Sequence, residues 1–151
     1  MTWTHRTRPV TIDPARPTTV VVHCSDPRYQ PHFQDFLHRG LELDRYSLVA
    51  VPGGPQCLIL TGYLPKFSWA GWRWMKFLKT LMDPARIVLI AHHDCRWYLE
   101  NRVVPHPSEA RAHQIKDMRQ ARAELQERFG KVNVELFYAT LDGDAAQFEQ
   151  L

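Results

Sequence analysis

"RIVLIAHHDC", residues 86–95, decides how the rest of the chain is read. Five apolar residues, 87–91, give way at once to two histidines, an aspartate and a cysteine. A short unbroken aliphatic run is the pattern of a strand buried on both faces, as in a parallel sheet. Side chains that turn polar where such a strand stops lie at the carboxyl edge of the sheet. Open α/β sheets bind their ligands there, near the point where strand order reverses.

The same design recurs on either side. "TTVVVHC" (18–24) is a second β-branched run and ends on Cys24. "YSLVAV" (46–51) is a third, stopped by Pro52-Gly53-Gly54-Pro55, where glycine permits a tight or left-handed turn. Between the first two runs, "HFQDFLHRG" spaces Phe33, Phe36 and Leu37 as one helical face and ends on Gly40, a candidate C-cap. A less regular stretch follows Pro55. A helix that Ser68 would cap then carries Trp74, Phe77, Leu78 and Leu81 on one face, and Asp83-Pro84 ends it.

A long polar helix is expected from near Ser108, with Ile115, Met118, Leu125 and Phe129 as its inner stripe and Gly130 as its stop. "VNVELFYATLDGD" supplies a last strand and a turn. Strands alternating with helices predict an α/β fold, a mainly parallel β-sheet flanked by helices. Residues 1–17 hold three prolines among polar residues and read as an extended arm, leaving 18–151 as one domain.

Composition narrows the function. At 151 residues and 44% hydrophobic content the chain suits one domain with a sizeable core. A net charge of +3, with bases scattered among acids, gives no nucleic-acid signature. No run suits a signal peptide or a membrane span, so a cytoplasmic protein is expected. Three widely spaced cysteines do not form a disulfide framework.

Cys24 ends one strand, His92 ends another, and Cys95 follows three residues later. Two thiolates and an imidazole at one sheet edge form a Cys2His set, which binds zinc and leaves a fourth position open. Taken singly, each has a plainer reading: free cysteine is commonly buried, and a strand-end histidine commonly makes hydrogen bonds. Cys57, in "QCLIL", reads as packing. Asp26 and Arg28, two residues apart beside Cys24, suit a charge-assisted pair that aims a carboxylate at a metal-bound water, or else an ordinary turn facing solvent. His93 reads equally as a proton shuttle or as a structural strand end.

"CSDPR" and "HHDC" resemble the C-x-D-x-R and H-x-x-C motifs of the beta-class carbonic anhydrases, in the same order. In coarse outline the resemblance runs from 18 to 145 and includes the glycine turn at 51–54 and the closing "FYATLDGD". It implies zinc ligation by Cys24, His92 and Cys95, with Asp26 and Arg28 as a catalytic dyad. It also implies reversible hydration of carbon dioxide to bicarbonate by a zinc-bound hydroxide, in a homodimer or higher homo-oligomer. In some relatives the aspartate itself becomes the fourth ligand when its arginine pair opens.

Two positions depart from the family pattern. Arg96 replaces a usual glycine, and Ala50-Val51-Pro52-Gly53 lacks the usual polar residues. A changed pocket admits hydrolysis of carbon disulfide or carbonyl sulfide, as in some relatives, with the tryptophans of "FSWAGWRW" either walling it or packing a core or an interface.

Three other classes compete. A cysteine phosphatase needs arginine six residues after Cys24, where Gln30 stands. A structural zinc closed by Asp26 or His93 would contribute to folding alone. A redox cysteine protein would need reactive thiolates and no metal.

Overall fold

A computed structural model describes residues 2–11, 15, 17–59, 65–100, 104 and 106–151. Its strands are β1 (Thr19–His23), β2 (Ser47–Ala50), β3 (Arg86–His92), β4 (Asn133–Asp142) and β5 (Ala145–Gln150). They form one sheet in the order β2-β1-β3-β4-β5. The first four are parallel and β5 returns antiparallel to β4. The α/β reading therefore holds, and β5 is an addition to it.

The main helices are α1 (Gln30–Asp35, continued by a π-helical turn Phe36–Gly40), α2 (Pro65–Met82), α3 (Arg96–Glu100) and α4 (Ala110–Phe129). Side chains alternate across the sheet and build a core on each face. Val20, Val22, Ile87, Leu89 and Leu136 pack with Met75 of α2 and Met118, Ala121 and Leu125 of α4. On the opposite face Val21, Val88, Ile90 and Phe137 pack with Phe33 and Leu37. Each of these fully buried aliphatic side chains contributes about 1.5–3 kcal/mol.

Several local expectations need correction. Ser68 is not a cap: α2 begins at Pro65, and the buried Ser68 hydroxyl donates to the Ile59 carbonyl at 2.5 Å. Trp74, Phe77 and Leu81 face solvent, while Ser68, Gly71 and Met75 turn inward. Leu78 packs against the core as expected, but aromatic residues occur on both sides of this helix, so periodicity alone misplaced the other three. Gly40 is the last residue of its helical turn and not a left-handed cap; the Phe36 ring lies over it, 2.8 Å from where a Cβ would stand. The short turn Pro107–Glu109 precedes α4, which starts at Ala110.

Residues 2–11 of the proposed arm are exposed and carry no helix or strand, and 12–14 and 16 lie outside the described residues. So do residues 60–64, within the less regular stretch after Pro55. Among the described residues no helix is long and apolar enough to cross a membrane.

The topology selects the site. From β1 the chain first adds β2 on one side and later β3 on the other, so strand order reverses between β1 and β3. His23 pairs with Ile90 across these strands, which sets Cys24 beside the last residues of β3. A crevice outside those strand ends is where this class of sheet binds its ligand.

Candidate metal centre

Cys24, His92 and Cys95 converge at the reversal point, all buried, with their ligand atoms within 4.8 Å of one another. The two sulfurs are 4.0 Å apart. His92 Nδ1 lies 2.8 Å from the His93 carbonyl. A carbonyl only accepts, so Nδ1 donates to it and Nε2 is the nitrogen turned toward the two thiols. Buried Nε2 has no hydrogen-bond partner. Orphaned buried polar atoms are rare and costly, and a cation shared with two thiolates satisfies this one. The donors present fit zinc.

The thiols divide their protons unequally. Cys24 is pushed below the ordinary thiol range, first by the hydrogen bond it accepts from Cys95. Cys95 is pushed up by the same bond and by burial. Thiol protons shared between the two sulfurs would be displaced on metal binding. Cys57 is separate: burial pushes its thiol up to about 12, consistent with packing.

His92 is held from several elements. Gln114 of α4 donates to its backbone carbonyl at 3.0 Å and accepts from the Tyr138 hydroxyl at 3.3 Å. The Tyr29 ring lies 4.2 Å from the imidazole, centroid to centroid, and its hydroxyl donates to the His93 carbonyl at 3.2 Å. Gln114→Ala strands both the His92 carbonyl and the Tyr138 hydroxyl. The expected loss is about 1–3 kcal/mol in urea denaturation, and an unchanged midpoint would contradict this role.

The turn after β2 closes against Cys24. Gly53 and Gly54 both adopt left-handed conformations, at φ 77° and 53°. A Cβ on Gly54 would stand 2.8 Å from the Cys24 backbone nitrogen. Gly54→Ala therefore combines a left-handed cost of about 1–2 kcal/mol with a backbone clash at Cys24, a candidate ligand. Lower zinc content and a lower melting temperature are expected together; a variant matching wild type in both would refute the close approach.

Asp26 and Arg28 form the paired arrangement expected of them. The Arg28 side chain donates to Asp26 from Nη2 to Oδ2 at 2.7 Å and from Nε to Oδ1 at 3.1 Å, and the Arg28 backbone N–H reaches Oδ1 at 2.9 Å. The Arg28 guanidinium holds the Asp26 carboxyl below the usual range. Asp26 Oδ2 lies 3.9 Å from His92 Nε2, beside the donor cluster. Gln30, excluded as a phosphatase arginine, donates instead to the carbonyls of Cys24 and Asp26 at 3.0 and 2.9 Å.

Other candidates fall outside the cluster. Arg96 is exposed and meets Glu100 at 3.6 Å, one helical turn along α3. His93 exposes its side chain, while its backbone N–H donates to the Ala139 carbonyl at 2.8 Å. Among the tryptophans of α2, Trp69 and Trp74 are exposed, and Trp72 donates to the Leu58 carbonyl at 3.0 Å. Trp97, one residue past Arg96, joins Tyr29 and Tyr98 among the aromatic residues at the site. It packs with Cys24, Cys95 and Tyr98, touches Gly53 and donates to Gln56. Its position directly after the ligand loop was the only sequence signal for it.

No family model matches the sequence, and no curated protein matches it in sequence. Solved structures match over most of the chain. The beta-carbonic anhydrase CafD of Aspergillus fumigatus superposes with a TM-score of 0.55 at 13% identity, covering 96% of this chain and 94% of that one. The chain has the fold of the beta-carbonic anhydrases. A carbonic anhydrase from Glaciozyma antarctica gives 0.54 at 14% identity, covering 89% and 84%. One of two tetrameric beta-carbonic anhydrases from Sordaria macrospora gives 0.53 at 11%, covering 90% and 81%. At these identities the likeness is one of fold, and the beta-carbonic anhydrase fold here carries a buried Cys-His-Cys triad suited to zinc.

Proposed function

We propose that this chain is a zinc-dependent lyase interconverting carbon dioxide and bicarbonate, with Cys24, His92 and Cys95 as ligands and Asp26 and Arg28 as the catalytic pair. The observation that carries the reading is the buried, unpartnered Nε2 of His92 facing two thiols, with a carboxylate 3.9 Å away. Zinc held there supplies a water whose pKa falls from about 15.7 to about 7, a nucleophile at neutral pH.

The remaining work belongs to the chain. Asp26, fixed by Arg28 and held below the usual carboxyl range, is placed beside the triad where its carboxylate would accept a hydrogen bond from a water on the metal and orient it toward substrate. The apolar cluster of Trp97, Tyr98 and Val104 against the two cysteines keeps bulk water from one side of the centre. A small apolar substrate such as carbon dioxide suits that wall.

Stopped-flow hydration of carbon dioxide by protein of known zinc content tests the proposal. Turnover dependent on zinc supports it. Zinc-loaded protein with no hydration, but with hydrolysis of carbon disulfide or carbonyl sulfide, would move the substrate and keep the site. Zinc with no turnover on any of the three would favour a second reading, a structural zinc closed by Asp26, which the same 3.9 Å approach supports. The proposal includes a homo-oligomer. Leu48, Trp74 and Phe77, exposed along the outer strand β2, are apolar surface that such an assembly would cover, and sedimentation velocity reads its size.

A further inference from the structure

Arg28 is gripped by two carboxylates from two different loops. Besides its contacts with Asp26, it donates from Nη1 to Asp94 Oδ2 at 3.1 Å and from Nη2 to the Asp94 carbonyl at 2.9 Å. Asp94 lies between His92 and Cys95 and adopts a left-handed conformation, φ 57°. This conformation is uncommon outside glycine, with Asp and Asn the tolerated exceptions. It lets the backbone carbonyl and the side chain of one residue reach the same guanidinium. Arg28 thereby ties the loop that bears Cys24 to the turn between His92 and Cys95.

We propose that Asp94 is a positioning residue: by anchoring Arg28 from the far loop it holds Asp26 back from the metal and keeps the fourth coordination position open. This rests on the zinc reading above. Asp26 Oδ2 already lies 3.9 Å from His92 Nε2, so a modest swing of the carboxylate brings it to a cation held by the triad. The Arg28 side chain is 40% exposed, and without the Asp94 carboxylate its guanidinium keeps Asp26, the Asp94 backbone carbonyl at 2.9 Å and the Tyr29 ring at 5.9 Å but loses the one charged anchor from the far loop, so its position against water is held less firmly. A carboxylate released from a fixed guanidinium then competes with water for the open position.

The test uses full-length protein loaded with cobalt(II), whose visible spectrum reports both coordination and the binding of azide at an open position. Asp94→Asn is chosen because asparagine tolerates the left-handed backbone and keeps the shape of the side chain. The expected result is one cobalt per chain in wild type and variant, with azide affinity at least about tenfold weaker in the variant and an altered cobalt spectrum before azide is added. In an Asp26→Ala background, Asp94→Asn should no longer change azide affinity, because the competing carboxylate is gone. Equal azide affinity with and without Asp94→Asn overturns the proposal. So does an equal loss in the Asp26→Ala background, which would mean that Asp94 acts on loop structure and not through Asp26. Wild-type protein that binds no cobalt overturns the zinc reading itself, a result visible before any variant is compared.

Discussion

Cys95→Ser is expected to purify folded and free of zinc. Cys95 is buried, lies outside the sheet in the turn after β3, and packs mainly against Cys24, Tyr98 and Trp97. Serine keeps its size and removes the thiolate. The two core layers are untouched, because Val20, Leu89, Met118 and Leu136 on one face and Val21, Ile90 and Phe33 on the other make no use of it. Changes to groups that only orient a ligand cost about 10–100-fold in metal affinity, and loss of a ligand should exceed that. Wild type held at zinc 100 times its Kd should gain about 2.7 kcal/mol of stability over the apo form, and Cys95→Ser should gain none at the same concentration. Chemical denaturation with and without zinc reads the difference. Equal zinc stabilisation of both proteins would remove Cys95 from the ligand set.

Asp26→Ala should spare zinc binding and remove turnover. Asp26 is not needed to complete the triad, whose three donor atoms already lie within 4.8 Å of one another. On the proposed reading its contribution is a fixed acceptor beside the reacting water, and positioned proton acceptors are worth about 10²–10⁴-fold in rate. A fall of that order in kcat for carbon dioxide hydration, at unchanged zinc content, is the expected outcome. Arg28→Ala should lose activity too. Without the guanidinium, the Asp26 carboxyl loses the main interaction that holds it below the usual range, and nothing fixes its direction. Full activity in Asp26→Ala would exclude the pair from the chemistry.

The division between what was legible in the sequence and what was not follows the physics of each element. β1 and β3 are buried on both faces and announce themselves as unbroken apolar runs, which is why Cys24, one residue past β1, and His92, the last residue of β3, could be brought together as candidate donors from two distant places. β5 is missed because its residues, AAQFEQ, are half-buried or exposed and carry neither a run nor a clean alternation. The α2 face is misread because Trp and Phe occur around much of the helix, so apolar spacing does not distinguish the face against the sheet from the face in solvent.

At the site, the ligands and the Asp26–Arg28 pair are short-range patterns within two loops. Gln114 and Asp94 are not patterns of that kind. Gln114 is one polar residue in a polar helix, and its value comes from reaching the His92 carbonyl 22 residues away. Asp94 stands inside the ligand motif, yet its role depends on a left-handed backbone and on Arg28 crossing from another strand end. Such contacts are set by tertiary placement and leave no local mark.

X-ray absorption at the zinc edge, on protein supplied with one equivalent of zinc, tests the central claim most directly. A tetrahedral site with two sulfurs at about 2.3 Å, one imidazole nitrogen at about 2.0–2.1 Å and one light non-imidazole donor is the predicted result. Protein that takes up no zinc, or a first shell without two sulfurs and an imidazole, would contradict it.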